Sequence, residues 1–385
     1  MRVLHVTPYF APAFRYGGPP RSILGLCKSL IEIGVDTEVF TTTANGDDTL
    51  PAAPQGMRYE DVPVRYFPLA WPQRYWRATG LRAALRTAAD DADLIHIHGL
   101  WNMTSWAGVA CARAARKPYV ISPRGMLRPE ARRRHREMKS LAYWSIERAN
   151  LESAALLHAT SDLEKCDLTR YGPAVAVIPN GVTPSRATPA AIGALRARAD
   201  IRESDAVVTF LGRLHPIKRL DLLADAFAIV HRANPSARLV IAGPDEGGYR
   251  DRVESLFAAV SSVTRWVGAV GGDDIAALLA SSRVLVQCSD SESFGMSVAE
   301  GLAAGVPIVV TRSSGWSVVE TVGCGYSVAQ EPRAIADGVL RVLDEHPQLM
   351  GERARDWARH TFAWDAAARA MRDAYQLAVA RRDAA

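Results

Sequence analysis

The chain has 385 residues, 48% of them apolar and 23% charged, the balance of a globular protein with room for two separate cores. It has no run of about 18 apolar residues, which excludes a membrane-spanning helix. Its five scattered cysteines, without a C-x-x-C pair, argue against a disulfide framework or a cysteine-built zinc site and suit a reducing cytosol. Net charge is only +5, yet residues 124–148 hold eight Arg or Lys against three Glu, so the surplus is local.

The opening MRVLHVTPYF lacks the long apolar region of a signal peptide, and residues 3–7 read as a buried strand. A loop with Pro8, Pro12, Gly17 and Gly18 follows. Residues 19–33 then place Ile23, Leu24, Leu26, Leu30 and Ile33 at helical spacing, with Gly34 as a stop. Residues 36–42 return as a strand. Short buried strands are predicted over 93–98, 118–122 and 155–159, with helices over 104–115 and 141–151 between them. Strands alternating with helices imply a parallel sheet covered on both faces.

Around residues 175–188 the texture turns to Pro, Gly and Ser, a linker. A second alternating series begins with a strand over 207–211 and a helix from about 218 to 232. Strands over 238–242, 283–287 and 307–311 continue it, and an Ala- and Arg-rich helix from Asp365 ends the chain. The expected architecture is α/β. Two Rossmann-like, doubly wound parallel-sheet domains, residues 1–183 and 184–364, face each other across a cleft, and a last helix over about 365–385 packs back on the first domain.

The most informative stretch is SDSESFGMSVAEGLAAGVPIVVT, residues 289–311. A strand ends, a polar loop follows, and a helix begins near Gly295 and runs to Ala304, where Gly305 and Pro307 stop it. Ligands of open α/β sheets bind at the carboxyl ends of strands, beside helix N-termini whose free N–H groups favour an anion. Glu292 lies in the loop and Glu300 eight residues on, about two helical turns away. One carboxylate can reach the head of a ligand while the other holds a hydroxyl further along it. Gly17 and Gly18 offer a place where backbone can approach a ligand closely.

Glu292 and Glu300 in ESFGMSVAE resemble the Glu-x7-Glu motif of retaining glycosyltransferases of family 4, whose fold is GT-B. The other pieces of that pattern follow in order: YGG at 16–18, HIHGLWN at 96–102, SPRGML at 122–127, ATSDLE at 159–164, IPNGV at 178–182 and FLGRLHPIKRLDLL at 210–223. The resemblance covers nearly the whole chain. It implies a nucleotide-diphosphate sugar as donor and no metal or other cofactor. Arg213 and Lys218 would neutralise the diphosphate, a form of electrostatic catalysis. Glu292 would contact the donor sugar, and Glu300 the ribose. Ser293, Phe294, Gly295 and Met296 would line the sugar and phosphates, and Gly17 and Gly18 would approach the diphosphate from the other domain.

His98 and Arg124, at the ends of two adjacent strands, are the acceptor-side candidates. Many family members carry a histidine after the second of these strands. Here SPRG puts Arg124 there, and His98 is the possible substitute. His96 is set aside as pointing to the opposite face of the sheet. The expected mechanism retains configuration, the leaving phosphate assisting the incoming hydroxyl on the same face of the sugar.

Arg128, Arg132, Arg133, Arg134, Arg136 and Lys139 form a basic block followed by Leu141, Tyr143, Trp144 and Ile146. It suits contact with an anionic membrane surface or a merely solvated face; no nucleic-acid motif accompanies it. The resemblance implies transfer to a glycan or lipid-linked acceptor in surface polysaccharide or glycolipid synthesis, in the cytoplasm or at the inner face of the cell membrane. Two alternatives stay open: a nucleotide-sugar epimerase of the same fold, and a non-catalytic sugar-nucleotide binding protein. A dinucleotide-dependent dehydrogenase is disfavoured because no G-x-G-x-x-G follows the first strand.

Overall fold

The computed structural model describes residues 1–129, 142–184, 186–245, 247–345 and 347–383. The chain divides into two compact units, Met1–Gly181 with Trp364–Ala385, and Val182–Ala363.

The first unit holds an eight-stranded sheet. From one edge its strands are Val175–Val177, Leu156–Ala159, Tyr119–Ser122, Leu94–His98, Arg2–Val6, Asp36–Thr42, Val62–Phe67 and Ala53–Tyr59. All neighbours are parallel except the last pair, which runs antiparallel. The central strands are buried on both faces, every residue of Leu94–His98 being inaccessible, which is why they read as unbroken apolar runs. Ala53–Tyr59, at the edge, exposes most of its length and gives no such signal. That hairpin and the helix Leu81–Asp90 go beyond what the sequence pattern predicts.

The second unit holds six strands, all parallel, in the order Thr264–Gly268, Ala237–Ala242, Ala206–Leu211, Val284–Gln287, Ile308–Thr311 and Gly325–Val328. The two outermost strands are additions to the expected set. Thr264–Gly268 is only half-buried and Gly325–Val328 alternates, so neither makes a continuous apolar run.

Each sheet has a switch point where the winding reverses. In the first unit it falls between Arg2–Val6 and Leu94–His98; in the second, between Ala206–Leu211 and Val284–Gln287. In open α/β sheets the carboxyl ends of the strands flanking such a point are the usual ligand position.

The last helix, Trp364–Asp383, completes the first unit. Its Ala368, Met371, Ala374, Tyr375 and Ala378 are buried with Val3, Leu30, Leu94 and Val120. Trp364 packs so closely that a Cβ on Gly25 or Gly181 would come within 2.2 Å of its indole. Only a residue without a side chain fits at either place.

The expected helix over 141–151 is observed from residue 142 onward. Tyr143–Glu147 is a π-helical turn and Arg148–Glu152 an α-helical one. Arg128 departs from the basic block expected to face a membrane surface or solvent. Its guanidinium pairs with Asp167 at 3.3 Å, and both side chains are only 13% exposed. Arg132, Arg133, Arg134, Arg136 and Lys139 lie outside the described residues. Among the described residues no helix is long and apolar enough to cross a membrane.

Candidate active site

In the second unit the expected residues gather at the switch point. Strand Ala206–Leu211 delivers Gly212 and Arg213, then a 3-10 turn Pro216–Lys218 capped by His215, whose Nδ1 accepts from the Ile217 N–H at 3.2 Å. The neighbouring strand Val284–Gln287 delivers the loop with Glu292. Lys218 Nζ donates to Glu292 Oε1 at 2.6 Å, and Ser289 Oγ donates to the same oxygen at 2.6 Å. The Lys218 and Glu292 side chains are 12% and 10% exposed. Sequence reading assigned both to a ligand; their contact with each other is new.

Neighbouring bonds fix the two loops. Arg219 bridges Asp221 and Asp290, Asp290 N–H donates to the Ile217 carbonyl at 2.8 Å, and Gln330 Nε2 donates to Asp290 Oδ1 at 2.8 Å. The helix Met296–Ala304 begins at Gly295, whose φ of 88° lies in the left-handed region. A Cβ at Gly295 would also come within 2.8 Å of Trp316 Nε1, the atom that donates to the Phe294 carbonyl. The turn before the helix is thus set by glycine and by an indole above it. Met296 starts the helix, Glu300 lies one turn in and half-buried, and Ser293 is half-buried in the loop. Phe294 is buried against Trp316 and Phe362. Its ring is core, so only its backbone faces the turn.

In the first unit Gly17, with φ of 84°, caps the helix Gly18–Glu32 at the end of the loop leaving Arg2–Val6. Tyr16 stacks on Tyr9 at 4.2 Å and accepts from the Gly46 N–H at 3.0 Å, which holds the approach to that helix.

His98 and Arg124 meet. Arg124, at φ 56°, donates from Nη2 to His98 Nδ1 at 3.3 Å and from Nη1 to Asn180 Oδ1 at 2.7 Å. Burial lowers the Arg124 pKa, opposed chiefly by the Glu164 carboxylate. Glu164 itself builds the turn, accepting from the Gly125 N–H at 2.6 Å and from the Thr160 N–H and hydroxyl at 2.8 and 2.7 Å.

The placing of His96 on the other face is wrong. Residues two apart on a strand share a face, and the His96 and His98 rings lie 4.0 Å apart. His96 sits in a buried set with His5, His98 and His158. Burial holds His5 and His158 near pKa 3, assisted by the Arg124 charge, and lowers His96 and His98 well below the usual histidine range. His5, His96 and His98 offer nitrogen atoms within 4.8 Å of one another, a spacing that could hold a metal. Both His96 nitrogens and both His98 nitrogens are already hydrogen-bonded, and a guanidinium adjoins them. That environment opposes a cation. Sequence reasoning missed His5 and His158, and it quoted Asn180 and Glu164 only as parts of the motifs IPNGV and ATSDLE, without a role; the contacts that give all four their place span 20 to 93 residues of sequence.

The family model described as glycosyl transferases group 1 matches residues 192–360, and a glycosyl transferase 4-like domain matches residues 17–181. A D-inositol 3-phosphate glycosyltransferase of Streptomyces avermitilis is 28% identical over 98% of this chain and 87% of its own. Among solved structures, Anabaena HepE in complex with UDP and glucose superposes with a TM-score of 0.75 at 20% identity, covering 98% of this chain and 99% of its own. Sucrose-phosphate synthase of Thermosynechococcus elongatus does so with a TM-score of 0.77 at 18% identity, covering 99% and 100%. Likeness at this identity speaks for the fold, which is the expected GT-B α/β fold. With both halves of the chain matched by its models and the motifs in order, the chain belongs to the group 1 glycosyltransferases.

Proposed function

We propose that the chain is a retaining, metal-independent hexosyltransferase that moves a sugar from a nucleotide-diphosphate sugar to a glycan or lipid-linked acceptor. The second unit binds the donor and the first the acceptor. The observation that carries this reading is the buried Lys218–Glu292 pair, held at a switch point beside the N-terminus of helix Met296–Ala304. An ammonium and a carboxylate that neutralise each other in the free chain have two complementary partners in one ligand. The diphosphate takes the lysine, and the sugar hydroxyls take the glutamate.

Arg213 joins Lys218 on the diphosphate, where charge builds as the leaving group departs, so the cations do the work of a metal. The N–H groups around Gly295 and Met296 add to that field. Glu300 accepts from ribose hydroxyls, and Gly17 and Gly18 approach the diphosphate through bare backbone. Arg124, with His98 behind it, orients the acceptor. The leaving phosphate then draws the proton from the incoming hydroxyl on the same face, which retains configuration. HepE, solved with UDP and glucose, supports a nucleotide-sugar donor. The pathway proposed is surface polysaccharide or glycolipid synthesis at the inner face of the cell membrane.

The test is thermal unfolding with UDP, GDP, ADP and their sugar conjugates, on the natural chain and on Glu300→Ala. Selective stabilisation by one nucleotide, lost in the variant, is expected, since a ligand of the folded state raises its stability by mass action. No shift with any of them at millimolar concentration would overturn the donor-site reading.

A further inference from the structure

We propose that Tyr375, on the last helix, is a positioning residue for transfer. It heads a one-way chain of hydrogen bonds that pins both strand ends carrying the Arg124–Asn180 contact. The proposal rests on the reading of Arg124 as an acceptor-side residue.

The chain is continuous and buried. Tyr375 OH lies 2.6 Å from His96 Nδ1, His96 Nε2 lies 2.6 Å from Ser122 Oγ, and Ser122 Oγ lies 2.6 Å from His158 Nδ1. His158 Nε2 lies 2.8 Å from the Ile178 carbonyl. Its direction follows from the last link. A carbonyl only accepts, so His158 Nε2 carries a proton and its Nδ1, in the neutral ring, accepts. The Ser122 hydroxyl therefore donates to His158 and receives from His96 Nε2–H. His96 Nδ1 is then bare, and Tyr375 donates to it.

A second chain is fixed the same way from its other end. A guanidinium only donates, so Arg124 gives to His98 Nδ1, and His98 Nε2–H gives to His5 Nδ1 at 3.0 Å. The proton on His5 Nε2 is left without a partner among the described residues. All four histidines thus share one tautomer, Nε2–H. Burial keeps them neutral, as the assignment needs.

The placement gives the chain its consequence. Ser122 stands two residues before Arg124, and Ile178 two residues before Asn180. The two backbone segments that must converge for Arg124 to meet Asn180 at 2.7 Å are each held, one step upstream, by a link of the same chain. Tyr375, 279 residues from His96 in sequence, is the donor that completes the chain at His96 Nδ1, the one nitrogen the other links leave bare.

The test combines nitrogen NMR of the 15N-histidine-labelled full chain with steady-state transfer. The natural chain is expected to give four neutral Nε2–H imidazoles. Tyr375→Phe removes one oxygen and should shift the His96 Nδ1 resonance. It should lower kcat about tenfold, the kinetic equivalent of one buried hydrogen bond, with the donor KM unchanged. Ser122→Ala, which cuts the chain at its middle, should reproduce the kcat loss and the unchanged donor KM. His96 or His158 found as the Nδ1–H tautomer, or kcat within twofold of the natural value in Tyr375→Phe, would overturn the proposal. If Arg124→Ala keeps full turnover, the acceptor-side reading fails and takes the proposal with it. If Arg124→Ala is inert while Tyr375→Phe is unaffected, only the positioning role fails.

Discussion

Replacing Lys218 with methionine separates what the buried pair does for the fold from what it does for the ligand. At 2.6 Å the ions attract by about 6 kcal/mol at an effective dielectric of about 20. Desolvation takes back several kcal/mol for each ion, so the intact pair adds little net stability. Lys218→Met leaves Glu292 charged and 90% covered, with the Ser289 hydroxyl still donating to it. The expected cost is about 3 kcal/mol, the lower end for breaking a buried pair. The double variant Lys218→Met with Glu292→Gln removes both charges and keeps the Ser289 bond, so it should recover most of that loss. Urea unfolding read by tryptophan fluorescence measures both, since Trp266, Trp316 and Trp357 lie in the second unit. The same double variant should not bind the donor nucleotide. Equal stability losses in single and double variants would refute the stranded-charge argument; natural donor affinity in the double variant would refute the site.

Other outcomes follow from the same geometry. Arg213→Ala should lower kcat by about 100-fold, as for losing one preorganised stabilising donor; near-natural turnover would remove it from the mechanism. Transfer should run at full rate in chelator, and activity lost there and restored by Mg²⁺ would refute the metal-free reading. The buried histidines also set a pH dependence. Unfolded, each takes up a proton as pH falls through about 6.5. Folded, His5 and His158 do so only near 3. Between those values the unfolded chain binds more protons, so stability falls on acidification by about 1.4 kcal/mol per pH unit for each histidine. The urea midpoint of the first unit should therefore drop from pH 7 to pH 5, and an unchanged midpoint would contradict their burial as neutral rings.

Much of this arrangement is legible in the sequence because its signals are local. Gly295, Met296 and Glu300 declare a strand, a turn and a helix start within one short stretch, and residues 296–304 form the expected helix. Central strands such as Leu94–His98 are legible because both faces are buried. Edge strands are not: Ala53–Tyr59 turns most residues to solvent, and Gly56 within it, at φ 97°, interrupts any β pattern. The surroundings of Arg124, the proposed acceptor-side residue, were only half legible. Arg124 announces itself by standing in a strand-end turn, but Glu164 and Asn180 come from 40 and 56 residues away in the chain, and although the motifs ATSDLE and IPNGV mark their segments, nothing local shows that they meet that turn.

The last helix has a consequence for how the protein is made. The first unit cannot close its core from its own first 181 residues, because Met371, Tyr375 and Ala378 fill it and Trp364 seats against Gly25 and Gly181. Domains emerging from the ribosome usually fold in order from the N-terminus. Here the order is inverted. All of Val182–Ala363 is synthesised before the first unit receives its final piece, so the second unit is the first that can reach its finished state. Until that helix arrives, the sheet holds His96 with no tyrosine to receive from, and a chain stopped short of Trp364 yields one completed unit and one that is not.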